Sequence, residues 1–250
     1  MDVSNWQEQL RRGQLSEALS AHLGAAQPDA RVTELLEALT ELRAHLRAKA
    51  WARARGVADT LDADDTLPNL SAEVGQLEAS GRHLERGEAE EALALLAGVR
   101  LPLLRAEAET QRGTALVFLG DAEAASRAFE EAVTLDTRHY RALTNLGNVA
   151  LEQGRVDEAI ARYEAALKLD EGFANAHHNL GVAYRRKGQV NRSVAAIRRA
   201  QRVSRQRDRE EARGVLKSFG QGQRGRYTKW LLYALAAAGV FLLLRAQGVF

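Results

Sequence analysis

The side chains that could do chemistry are few and scattered. Six histidines stand along the 250 residues, at His22, His45, His83, His139, His177 and His178. No two are four apart, and no HExxH occurs, so the helical spacing of a histidine metal site is missing. His177 and His178 are neighbours, which on a helix points their rings about 100° apart. Cysteine is absent, so thiolate ligands and disulfides are excluded. There is no GxxxxGK[ST], no GxGxxG after a strand and no GxSxG. The carboxylates are expected on solvated helix faces. No catalytic group, metal or cofactor is expected, and the chain reads as a non-enzyme. What remains is recognition chemistry. An asparagine amide both donates and accepts, which suits it to holding a peptide backbone. Asn145, Asn148, Asn175 and Asn179 offer that chemistry, with His178 and the cation Arg185 in the same stretch of sequence.

The elements that position these residues are helices. Ala, Leu, Glu and Arg dominate, and there are only three prolines, a composition that favours helix nearly throughout. With 46% hydrophobic and 27% charged residues, the balance is globular. The start, MDVSNWQEQLRRGQ, has no apolar core behind a basic segment and is not expected to be a secretory signal.

A repeat fills the middle. Gly113, Gly147 and Gly181 are 34 apart each time, as are Gly120, Gly154 and Gly188, and Ala132, Ala166 and Ala200. Phe129, Tyr163 and Ile197 recur in the same register. The best copy is YRALTNLGNVALEQGRVDEAIARYEAALKLD, Tyr140 to Asp170, and the next begins ANAHHNLGVAYRRKGQ at Ala174. These residues resemble the tetratricopeptide repeat, a two-helix unit of this period. The resemblance implies an all-α solenoid of antiparallel helix pairs. Gly147 and Gly181 would lie where the second helix crosses the first, and Gly154 and Gly188 would end the first helix. Arg112 and Ser193 depart from the pattern, and Thr137, Glu171 and Arg205 replace the prolines that often close each unit.

Upstream the pattern decays. SGRHLERGEAEEALALLAG turns at Gly87, and NWQEQLRRGQLSEALSAHLG turns at Gly13. A pair near LRAKAWARARGVADTL lacks the turn glycine. DADDTLPN, Asp62 to Asn69, is acidic, holds Pro68 and breaks the helical pattern. The expected organisation is degenerate helix pairs over 1–61, a linker over 62–70 and an array over 71–206, with its best repeats at 106–139, 140–173 and 174–207. A basic capping helix and flexible linker over 207–228 and an anchor over 229–250 complete it. About six pairs result.

The net charge of +2 hides an asymmetry. From Arg198 to Lys229 there are eleven Lys/Arg against three Asp/Glu, while residues 1–197 carry a net −7. The segment KWLLYALAAAGVFLLLR then has fifteen uncharged residues between Lys229 and Arg245. As a helix it would be about 23 Å long, short against a hydrocarbon core of about 30 Å. Lys229 and Arg245 can extend their stems to the interfaces, and Trp230 and Tyr233 stand where an aromatic belt would. One reading is a transmembrane helix with the basic side, and hence the body, in the cytoplasm of a single-pass cell-membrane protein. The other is a buried core helix. The basic neck can meet anionic lipid or, alternatively, nucleic acid, although Phe219 and Tyr227 are its only nearby aromatics.

The family's groove, lined by first helices, takes a peptide or helix of a partner protein, and the resemblance places Asn145, Asn148, Asn175, His178, Asn179 and Arg185 there. Thr110 and Thr114 stand where the carboxylate-clamping members have a basic and an amide residue. The expected function is a membrane-anchored scaffold or adaptor with a protein or peptide ligand. The alternative is a soluble or peripheral scaffold whose neck binds nucleic acid or acidic partners. Ala234 and Ala238, four apart, permit close helix approach and a weak homodimer.

Overall fold

A computed structural model describes residues 5–12, 14–25, 28–63, 67, 69–210 and 212–213. The chain divides into two compact units, Met1–Ala200 and Gln201–Phe250. The first unit is a succession of antiparallel helix pairs: α1 (Asn5–Arg11) with α2 (Leu15–Leu23), α3 (Ala30–Arg47) with α4 (Trp51–Ala63), α5 (Leu70–Glu85) with α6 (Ala89–Leu96), α7 (Arg105–Phe118) with α8 (Ala122–Leu135), and α9 (Tyr140–Glu152) with α10 (Val156–Leu169). α11 (Ala174–Arg186) pairs with helical residues 190–200. The described residues thus hold six pairs and no strand. In the second unit the described residues, 201–210 and 212–213, are helical.

The same turn joins the helices of five of the six pairs. Gly87, Gly120, Gly154 and Gly188 have φ of +79°, +82°, +77° and +78°. In each case the next residue's amide reaches back across the helix end, as in Asp121 N to Leu116 O at 2.9 Å and Arg155 N to Ala150 O at 2.8 Å. This is the Schellman closure, which requires a left-handed residue. The pair without a turn glycine closes identically, with Ala50 N on His45 O at 2.8 Å, and Lys49 takes the left-handed position at φ +54°. A residue with a Cβ costs about 1 kcal/mol there. Lys49→Gly should therefore raise the stability of the chain by roughly that amount. The amine's 3.8 Å contact with Glu85, on two exposed side chains, contributes little in return. A urea midpoint that does not rise would contradict this assignment.

The second helices end without proline. Asp136 and Asp170 stop α8 and α10 in extended conformation. Their carboxylates accept from the amide two residues on, Arg138 N at 3.1 Å and Gly172 N at 2.8 Å, an Asx turn that satisfies the backbone as the chain leaves the helix. At the acidic boundary, Asp62 accepts from Leu70 N and Ser71 N at 3.0 and 2.9 Å, capping α5 from the end of α4.

The repeat glycines lie where the 34-residue register places them. A Cβ on Gly113 would come within 2.5 Å of the Phe129 ring, one on Gly147 within 2.5 Å of the Tyr163 ring, and one on Gly181 within 2.6 Å of Ile197. Phe129, Ala132, Tyr163 and Ala166 are buried in those crossings. The expectation that the carboxylates stay on solvated faces fails for Glu73, Glu107 and Asp136, all buried. Each has partners that offset the cost of burying a charge. Glu73, for example, accepts from Arg100 N and Leu101 N at 2.9 and 2.8 Å, fixing the connection between the third and fourth pairs.

No helix among the described residues is long and apolar enough to cross a membrane. The expected anchor over 229–250, with Lys229, Trp230, Tyr233 and Arg245, lies outside the described residues, as do Gly13 and most of 207–228.

Candidate partner-binding groove

Successive first helices touch one another, α5 with α7, α7 with α9 and α9 with α11. Second helices meet chiefly the helices before and after them in sequence. The first helices therefore line the inner face of the array. Positions 34 apart on α7, α9 and α11 share a place on that face: Glu107, Arg141 and Asn175; Thr110, Thr144 and His178; Gln111, Asn145 and Asn179.

The face is open at one end and filled at the other. On α11, Asn175, His178 and Arg185 are exposed, and at about 100° per residue they fall within one arc of roughly 80°. Asn145, Asn148 and Asn179 are half-buried. The structure brings two of the six together. Asn148 Oδ1 accepts from Asn179 Nδ2 at 2.7 Å and from Tyr163 Oη at 2.8 Å. That oxygen ties α9 to α11 and steadies the ring that packs on Gly147. Burial pushes the Tyr163 phenol well above its ordinary range, so the hydroxyl stays protonated and donates. Asn148 and Asn179 thus serve the joint between repeats, and Asn175, His178 and Arg185 are the exposed part of the predicted set.

At the N-terminal ends of α7 and α9 the face is filled by the chain itself. The last turn of α3 packs there. Tyr140 Oη donates to Arg47 O at 3.0 Å, and Arg141 Nη1 reaches Leu46 O and Arg47 O at 3.4 and 3.5 Å. Arg47 in turn pairs with Asp136 at 3.2 Å. Beneath this contact lies a buried charge cluster. Glu107 receives Arg141 at 3.1 Å and His139 Nε2 at 3.2 Å, and Gln111 Nε2 donates to it at 3.1 Å. His139 caps α9 by accepting from Ala142 N on Nδ1 at 3.2 Å; its ring proton is then on Nε2, facing Glu107. Burial alone would raise the Glu107 carboxyl, but Arg141 and then His139 overcome it and bring it down to about 2. Glu107 therefore stays charged from neutral pH down to well below the ordinary carboxylate range. Sequence reasoning did not single out this cluster. The readable signal was Glu107 and Arg141, opposite charges one repeat apart at the same position.

Family models of the repeat match three overlapping stretches. One described as "Tetratricopeptide repeat" covers 119–165, one as "TPR repeat" covers 147–188, and a further "Tetratricopeptide repeat" covers 174–207. Residues 119–207 are tetratricopeptide repeats. No curated protein matches the sequence. Among solved structures, a crystal structure of MamA is 22% identical over 84% of this chain and 98% of that one, with a TM-score of 0.46. MamA 41-end from Desulfovibrio magneticus RS-1 is 30% identical over 52% and 75%, with a TM-score of 0.44. The second TPR of Spaghetti (RPAP3), bound to an HSP90 peptide SRMEEVD, is 20% identical over 40% and 92%, with a TM-score of 0.39.

Among the described residues no group of three or more His, Asp or Glu could hold a metal ion.

Proposed function

We propose that this chain is a scaffold that acts by binding, not catalysis. Its tetratricopeptide array takes a segment of a partner protein on the open inner face at α11. The observation that carries the reading is the exposed arc of Asn175, His178 and Arg185 on α11, where α9 has half-buried Arg141 and buried Thr144 and Leu151 at the same register positions. An amide, an imidazole and a guanidinium in one arc supply donors and acceptors for a peptide backbone and a cation for a carboxylate. The partner is therefore a segment carrying at least one acidic group. We further propose that the uncharged run 230–244 holds the array to a cell membrane as a single pass, with the body on the cytoplasmic side. The excess of cations before the run supports that orientation.

Photoreactive residues placed singly at His178 and at Asn175 should trap the same partner in cells. Arg185→Glu should reduce that capture by about tenfold, as expected for a lost charge-assisted contact. Equal capture by Arg185→Glu and by the unaltered chain would remove α11 as the binding face. Alkaline and high-salt washing of membranes should leave the chain in the pellet until detergent is added. A chain cut before Thr228 should move to the supernatant.

A further inference from the structure

The second unit carries a feature that the groove does not use. Its described residues, 201–210 and 212–213, hold five arginines, and Arg202, Arg205, Arg209 and Arg213 are spaced 3, 4 and 4 apart. At about 100° per residue these four fall within an arc of roughly 80°, along about 16 Å of helix. All four are exposed. Asp208 and Glu210 lie outside the arc, and Glu210 Oε1 accepts from Gln206 Nε2 at 3.1 Å. Among the described residues, none of the four arginines has an acidic partner within ion-pair distance. A helix that placed its cations for its own stability would pair them with carboxylates three or four residues away. This one holds them in a line on a single face.

We infer that this face lies against anionic lipid headgroups, with Arg202, Arg205, Arg209 and Arg213 as its contacts. The inference rests on the membrane reading above and gives it a second point of attachment. A straight row of guanidinium groups complements a plane of phosphates and carboxylates, and each cation near such a surface adds attraction. The sequence downstream has the composition of a membrane-proximal segment, with Arg224, Arg226 and Lys229 before the uncharged run. Residues 201–213 contain no aromatic, so the stacking surface that a single-stranded nucleic acid uses is missing.

The test uses the full chain and a variant carrying R202Q, R205Q, R209Q and R213Q, with circular dichroism to confirm that helix content is kept. Each is titrated with vesicles of phosphatidylcholine alone and with phosphatidylserine added, at low and high salt. The unaltered chain should prefer the anionic vesicles by on the order of a hundredfold at low salt, and lose that preference at high salt. In the variant the preference should fall by about tenfold or more. An undiminished preference in the variant would overturn the inference. So would its loss only on changing Arg224, Arg226 and Lys229 to Gln. Tighter, stripe-dependent binding of polyuridylate than of anionic vesicles would assign the face to nucleic acid instead. Retention on neutral vesicles at high salt reports the run 230–244 separately. If that retention fails while the stripe-dependent preference survives, the anchor is wrong and the arginine face stands.

Discussion

Glu107→Ala will destabilise the chain by about 3–5 kcal/mol, one of the two largest effects expected from a single change. The carboxylate is buried between Arg141 and His139. Removing it leaves the Arg141 guanidinium, itself only 14% exposed, without its counter-charge. It also opens a gap beneath the docked end of α3. Glu107→Gln keeps the shape and removes the charge. Its cost should be about 3 kcal/mol near neutral pH, the free energy of lowering a carboxyl from 4.5 to about 2. The pH dependence has a defined sign. Because the folded carboxyl titrates below its unfolded value, its contribution is complete above about pH 4.5. It is lost as the pH falls through 4.5 towards 2. Urea unfolding of the chain and of Glu107→Gln should thus differ by a constant amount from pH 7 to pH 5, and the two should converge in acid. A difference that stays constant down to pH 3, or that grows in acid, would show that Glu107 is not held by Arg141 and His139.

Gly147→Leu should cost about 3 kcal/mol by overpacking. A Cβ at that position meets Tyr163 Cε1 at 2.5 Å, and the Tyr163 ring is fully buried, so neither side can yield without moving α9 away from α10. Two comparisons make the cause identifiable. Gly147→Ala should be destabilising alone and much less so in a chain that also carries Tyr163→Ala, since the clash needs both partners. Gly56→Ala places a methyl in open space in the middle of α4. It should stabilise by about 0.5–1 kcal/mol through helix propensity. Thermal or urea unfolding reads all four. An unperturbed Gly147→Leu chain would mean that the two helices do not cross at this glycine.

The crossings and turns could be read in the sequence because each is enforced by one residue type. Only a residue without a side chain fits 2.5–2.6 Å from a packed ring or from Ile197, and only a left-handed residue completes the helix end, so Gly113, Gly147 and Gly181, and then Gly120, Gly154 and Gly188, repeat at 34. Lys49 escaped that logic. Its left-handed φ is held by the backbone closure from Ala50 to His45, which leaves no mark on residue choice. The docking of α3 onto α9 was equally hidden, because its acceptors are main-chain carbonyls of Leu46 and Arg47 that any residue could supply. Within the candidate site, Asn175, His178 and Arg185 were named from their register. The joint made by Asn148 with Asn179 and Tyr163 needed side-chain placement across two repeats, which spacing alone cannot give.

That α3 contact changes how the array should come apart. Stacked hairpins that touch only their neighbours behave like a row of beads, and either end can peel away on its own. Here Arg47 grips Asp136 across 89 residues of chain, and Tyr140 and Arg141 hold the same turn of α3. The second pair cannot leave without releasing the fifth, so hydrogen exchange over Arg47 and Tyr140 should slow and quicken together. Closing so long a loop is entropically slow. The contact itself will therefore form late, yet once it is latched the segment between yields as a block, where an unlatched array would fray.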